Sequence, residues 1–330
     1  MRPFIGVVLL ASVASAPRAW ALDPARAITQ YVHAVWQTEQ GLPQNTVQAI
    51  AQTADGYLWV GTQEGLGRFD GVRFTTFDRA RTPDLKHNWV SALYADREGA
   101  LWIGFRGGGL ARLHEGRFAR YTTNEGLPSD RVRTITGDRE GNVWIGTSGG
   151  GLSRFRDGKF TTWTARDGLA HDQVVAILQD REGTLWIGTF GGGLSRFEDG
   201  RFTTLDKTHG LADDHVSALH EDREGNLWIG SFFGGLSRRG KDGMVTYRAR
   251  DGLGSDAVWS LAEDRDGHLW IGTDGGGLVR HRDGRFTRFT TRDGLSHDVV
   301  MSLHEDREGT LWAGTASGGL NMLRDGAFAT

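Results

Sequence analysis

An all-β repeat fold is what this sequence predicts, and three observations carry the expectation. The phrase Gly183-Thr184-Leu185-Trp186-Ile187-Gly188-Thr189, with Gly191-Gly192-Gly193-Leu194 behind it, returns along the chain with its tryptophan at Trp59, Trp102, Trp144, Trp186, Trp228, Trp270 and Trp312. The spacing is 43 residues once and 42 thereafter, and a constant period of that size marks a repeat architecture. Between the tryptophans lie short β-branched or aromatic runs bounded by Gly and Asp turns, with no helical period. Finally, the start of the chain holds one strand-like run with no partner of its own. Four-stranded sheets cannot bury both faces singly, whereas seven stacked round an axis can. The expectation is a seven-bladed β-propeller of four-stranded antiparallel blades, closed by the N-terminal strand.

One unit justifies the elements in order. Strand A is Val174 to Leu178, and the turn Asp180-Arg181-Glu182-Gly183 follows, where Asp closes an Asx-type turn and Gly takes positive φ. Strand B is Leu185 to Thr189. A corner, Gly191 to Gly193, leads to strand C, Leu194 to Phe197. Glu198-Asp199-Gly200 is a second hairpin turn and strand D runs from Arg201 to Leu205. The link Gly210-Leu211-Ala212-Asp213-Asp214-His215 then reaches the next strand A at Val216. The run Ile28 to Trp36, followed by Gly41-Leu42-Pro43, matches strand D and its link but has no A, B or C before it. It is expected to complete the last blade beside Gly319 to Leu323. The tail Gly326 to Thr330 resembles the start of a further strand D.

Composition agrees with one domain over residues 22–330. The chain has 330 residues, 38% of them hydrophobic, with 49 Gly and only 6 Pro, and the glycines are periodic, as in a protein with many tight turns. A net charge of −3 gives no basic face for nucleic acid. Residues 1–21 read as a secretory signal: Arg2, the apolar run Phe4 to Val13, and the small-x-small site Ala19-Trp20-Ala21. The mature chain is then expected in the periplasm or outside the cell, with no membrane span. Cysteine is absent, so packing alone must hold an exported fold, and thiolate chemistry is excluded.

The phrases at Asp138 to Thr147, Gly149 to Phe155, Asp157 to Phe160 and Asp167 to Val174 resemble those of the two-component regulator propeller family. So does the opening run Trp36 to Pro43. The resemblance covers roughly 23–330 and implies the periplasmic sensing part of a hybrid histidine kinase, diguanylate cyclase or related regulator. In such receptors a second propeller, an immunoglobulin-like domain, a membrane helix and a cytoplasmic output domain commonly follow. It implies no kinase activity for this chain.

In a four-stranded blade the D-to-A links and B-to-C corners share one rim, and the two hairpins share the other. The acidic turns Asp96, Asp138, Asp180, Asp222, Asp264 and Asp306 fall on the hairpin rim. A residue repeated in six blades serves each blade rather than one asymmetric site. The Trp series is expected to anchor packing between blades, and Arg68, Arg112, Arg154, Arg196, Arg238 and Arg280 are expected to be structural. The informative positions break the repeat on the link-and-corner rim. These are Trp89, Phe105, Arg106, Arg131, Gln173, Phe190, His215, Phe232, Phe233 and Asp274. Aromatic faces suit a sugar ring or apolar group and Arg clamps a carboxylate, so a glycan or organic acid is the expected ligand. The eleven His form no metal-ligand spacing, and no phosphate-loop, nucleophile-elbow or metalloprotease phrase occurs. No metal or cofactor is expected. The rival readings are an exported propeller lyase or glycosidase, with His215 and either Arg131 or Asp274 as its catalytic candidates, and a platform for protein partners such as downstream receptor domains.

Overall fold

The computed structural model describes residues 30–324, and in them seven four-stranded antiparallel sheets are paired in the order A-B-C-D. In blade 4, strand A is Val174–Gln179, B is Leu185–Thr189, C is Leu194–Glu198 and D is Arg201–Leu205. Strands A and C run one residue beyond the sequence expectation. The leader 1–21, positions 28 and 29, and the tail from 326 lie outside the described residues.

Core packing lies mainly between blades. All seven repeat tryptophans are buried. Trp102, for example, packs with Leu127, Val132, Ile135, Val143 and Ile145 of the next blade. The glycine after Trp-Ile allows that approach: a Cβ at Gly188 would sit 2.5 Å from Cγ1 of Val216, the first strand A residue of blade 5.

The recurrent acidic turn holds each tryptophan in place. Oδ2 of Asp180 accepts the Trp186 indole N–H at 2.8 Å, while Oδ1 accepts the amides of Glu182 and Thr184 at 3.0 and 2.8 Å. Asp96, Asp138, Asp222, Asp264 and Asp306 make the same indole bond. In blade 1 the Thr53 hydroxyl takes over, accepting from Trp59 at 2.9 Å. Burial works against the Asp264 charge, but hydrogen bonds from His268 and Trp270 outweigh it and hold its pKa below the usual carboxylate value. The stability it supplies is complete above the unfolded value of about 3.9 and is lost as pH falls through the lower folded one.

The D-to-A links, which the sequence suggests as plain loops, carry a single 3₁₀ turn in six of seven places, as at Lys207–His209. Asp214 of the Asp-Gly-Leu-x-x-Asp-x-Val type phrase pins that turn, its carboxylate accepting the Lys207 amide at 2.8 Å. Asp172, Asp256 and Asp298 do the same in their own links.

The ring closes through the N-terminal strand. Val32–Trp36 pairs antiparallel with Leu320–Arg324, with Trp36 opposite Leu320 and Val32 opposite Arg324. Trp36 lies 5.1 Å from the Phe69 ring and 5.5 Å from that of Trp312. His33 Nε2 and Asn321 Oδ1 share a hydrogen bond of 3.1 Å. Trp312 then packs on Leu42, Val47, Leu58 and Val60 of blade 1, so the closing seam repeats the contact made at the others.

On the hairpin rim a second set of contacts runs from blade to blade. Arg139 donates to the Arg181 and Asp180 carbonyls at 2.7 and 3.0 Å, and Arg307 donates to the Ala54 carbonyl at 2.8 Å across the closure. Arg181, Arg223 and Arg265 reach the next hairpin in the same way. The sequence reading assigned these arginines no role.

Asp180→Ala should destabilise the protein by about 2–3 kcal/mol, because it strands a buried indole donor and two amides. Asp180→Thr, which copies blade 1, should cost about 1 kcal/mol. Urea denaturation followed by tryptophan fluorescence measures both, and equal costs would contradict the indole clamp.

Candidate functional site

A β-bulge builds the centre of the ring. In every blade the A–B register slips after the first residue of strand A, as between Val174 and Ala176 or Val258 and Ser260. A bulge leaves one residue unpaired and re-aims it. The residues so released are Gln48, Ser91, Arg133, Val175, Ser217, Trp259 and Met301, one per blade. All seven line one cavity of about 240 Å³, together with Arg106 and Phe232. A position that is structurally equivalent in seven blades thus carries six different side chains round the axis.

The cavity is asymmetric. On one side stand Arg133 of blade 3 and Arg106 from the corner of blade 2. The Arg106 guanidinium lies over the Trp89 ring at 4.7 Å, and the Trp89 indole N–H donates to Gln48 Oε1 at 3.0 Å. Burial, and then the neighbouring Arg106 charge, lower the Arg133 pKa from its ordinary value, although an arginine stays charged at neutral pH. Opposite is an aromatic wall. Phe232 meets Trp259 edge-on at 5.2 Å and Phe190 at 5.4 Å, and Phe190 meets His215 at 4.7 Å. The indole N–H of Trp259 and the hydroxyl of Ser217 are buried and have no hydrogen-bond partner among the described residues.

His215 sits at the edge of this wall in a polar chain. Its Nδ1 is 2.8 Å from Asp213 Oδ1, and Lys207 Nζ is 3.1 Å from Asp213 Oδ2. Burial opposes the Asp213 charge, but the His215 amide and ring and Lys207 outweigh it, so its pKa lies below the usual value. Among the described residues no group of three metal-type ligands occurs.

The structure divides the ten residues singled out from sequence. Arg106 and Phe232 line the cavity. Trp89, Phe190, His215 and Phe233 touch one or other of them, directly or through a ring partner. Arg131 and Gln173 are exposed and pair with the corners as isolated bridges, Arg106 with Arg131 and Ser148 with Gln173, as Phe190 does with His215. Asp274 is exposed on the rim, its amide donating to the Ala257 carbonyl at 3.0 Å. Phe105 is a correction. It ends strand B where other blades have Thr or Ser, is 3% exposed, and packs with Leu85, Val90 and Ile103 in the core. Its side chain points into the packing between blades 1 and 2 because strand alternation turns it away from the rim. The sequence reading overlooked Arg133 and Trp259. Their signal was variation one residue inside strand A, concealed by the assumption of unbroken strand pairing.

Fold and site together define a closed seven-bladed propeller of repeated blades with an axial mouth made of unlike residues. Segments 41–64, 84–107, 126–149, 168–191, 210–233, 252–275 and 294–317 match the family described as two component regulator propeller, and the chain belongs to that family. Among solved structures it is similar to the extracellular domain of the hybrid two component system BT3049 of B. thetaiotaomicron, with 25% identity and a TM-score of 0.79. That alignment covers 90% of this chain and 42% of the other. The corresponding domain of BT4673 from the same organism is 22% identical, with a TM-score of 0.73 and coverage of 91% and 43%. The chain therefore spans less than half the length of those extracellular domains. A virginiamycin B lyase from Staphylococcus aureus shares the fold at 14% identity, with a TM-score of 0.72 and coverage of 89% and 99%. By sequence, no curated protein matches. Among the described residues no helix is long and apolar enough to cross a membrane.

Placement of the aromatics sets relative costs. Phe105→Ala should destabilise by about 3–5 kcal/mol, as core truncations do, whereas Phe233, 62% exposed, should lose under about 1 kcal/mol on the same change. Thermal denaturation ranks them, and the reverse order would move Phe105 back to the mouth.

Proposed function

We propose that this chain is the ligand-sensing propeller of a two-component-type receptor, exported by its leader peptide to the periplasm and without catalysis of its own. The observation that carries the reading is the axial mouth. Seven blades that repeat almost every structural residue differ at the one position facing the axis, which is where an asymmetric ligand would be read. Family membership and the likeness to extracellular domains of two-component systems support export and signalling. Binding would alter the balance between two arrangements of the receptor by its differential affinity for them, and the exposed link-and-corner rim is the surface offered to a following module.

A second reading, an exported lyase, draws on one observation. His215 is oriented by Asp213 and Lys207 at the edge of the mouth, as a general acid or base has to be. The lyase-like fold adds only architecture.

Thermal denaturation of the purified chain against a library of sugars, glycan fragments and organic acids separates the readings. The sensor reading expects a saturable rise in Tm of about 2 °C or more, with the ligand recovered unchanged, in line with the linkage of binding to stability. Turnover that disappears in His215→Ala would replace it with the enzyme. Silence across the library would leave a platform for protein partners.

A further inference from the structure

We propose that the axial cavity takes a small ring compound bearing a carboxylate, whose anionic group is gripped by Arg106 and Arg133 while its ring lies against Phe232, Trp259 and Met301. This deepens the sensing reading and rests on the mouth being a ligand site.

Charge is the first argument. The chain is acidic overall, at −3, and several of its arginines pair with carboxylates: Arg181 with Glu221 at 2.8 Å, Arg196 with Glu198 at 2.7 Å, Arg265 with Glu305 at 3.2 Å. The two arginines at the axis have no such partner among the described residues. No acid lines the cavity, and neither Arg106 nor Arg133 forms an ion pair among the described residues. Arg106 is exposed to solvent while Arg133 is half-buried, so the Arg133 charge bears both burial and the neighbouring Arg106 charge, and an anion reaching both would relieve that cost. A carboxylate supplies that anion in the geometry guanidinium groups favour. Arg106 is also held in advance, stacked on Trp89, which Gln48 fixes in turn, so little side-chain freedom is lost on binding.

The remaining lining describes the rest of the ligand. Phe232 is locked edge-on between Trp259 and Phe190 and presents a rigid apolar wall to a ring. Trp259 Nε1 and Ser217 Oγ are buried polar atoms without partners, and both residues line the cavity. Ligand oxygens beside the ring would accept from them. At about 240 Å³ the space falls below the ~300–1,000 Å³ of drug-sized sites, which suits one ring rather than a chain of them. Sugar acids and aromatic acids share this chemistry.

Isothermal titration of the purified chain at low salt, with two matched pairs of probes, tests the inference. The pairs are galacturonate with galactose, and benzoate with benzamide. At least one anion should bind saturably and at least tenfold more tightly than its neutral partner, and added salt should weaken it. Arg133→Gln and Arg106→Gln should each weaken that anion about tenfold or more. Trp259→Phe, which keeps an aromatic ring but removes the indole N–H and part of the ring surface, should weaken it severalfold. Circular dichroism and Tm establish that each variant is folded, and Trp259→Phe keeps the test decisive if an arginine variant is not. Galacturonate binding alone would name sugar acids, and benzoate alone aromatic acids. Equal affinity for the neutral partners, or anion binding untouched by both arginine changes, would overturn the anionic assignment while leaving the mouth as a ligand site. No binding of any of the four probes would overturn it too, and the wider library then decides whether the mouth reading falls with it.

Discussion

Antiparallel pairing of Val32–Trp36 with Leu320–Arg324 is the constraint on which the rest of the molecule depends. It joins the two ends of the described chain, so the seventh blade is made from residues almost 290 positions apart, such as His33 and Asn321. Without it, Trp312 and Leu320 would lose the cover of Trp36, and the packing of blade 7 on blade 1 would open. Every other seam is built from neighbours in sequence and forms locally. This one closes a loop as long as the domain, and its entropic cost is offset only by contacts made at the end. The arginine relay on the hairpin rim crosses the same seam through Arg307 and Ala54, so two separate sets of bonds hold the ring shut.

Closure matters because the site belongs to no single blade. The bulge in each strand A delivers one side chain to the axis, and only a ring brings Arg133 of blade 3 to face Trp259 of blade 6 across about 240 Å³. The division of labour is physical. Residues that hold a blade to its neighbour, such as the Asp–Trp clamp and the glycine under the next valine, are repeated because every seam needs them. Residues at the bulge have no register partner in strand B and line the axial cavity, so the chain can vary them. An asymmetric, charged and aromatic interior can therefore be written on a symmetric frame at little cost in stability.

Much of this was legible in the sequence. The period of the tryptophans, the Asp-x-x-Gly turns and the orphan strand before Trp36 dictated blade number, strand order and closure, because each reflects local turn chemistry or a period that any reader can count. The site was read less well. The rim assignment found Arg106, Phe232 and their ring partners, but it took Phe105 for a corner residue when it ends strand B in the core. Arg133 and Trp259 escaped because a regular strand would point them elsewhere, and variation one residue inside strand A, their one sign in the sequence, does not by itself reveal the bulge that turns them inward. The 3₁₀ turns in the links were missed for a similar reason. Their stability comes from a carboxylate seven residues on, as in Lys207 and Asp214, and not from helical periodicity.

Hydrogen–deuterium exchange of the purified chain tests the closed ring most directly. The amides of Val32–Trp36 that bond to Leu320–Arg324 should be protected far beyond those of exposed loops, while the alternate, outward-facing amides of this edge strand exchange quickly and Leu311–Thr315, strand B of the same blade, is protected throughout. Exchange of those bonded amides at the rate of exposed loops, with Leu311–Thr315 still protected, would show that the first strand does not seal the seventh blade and would contradict the axial site built on it.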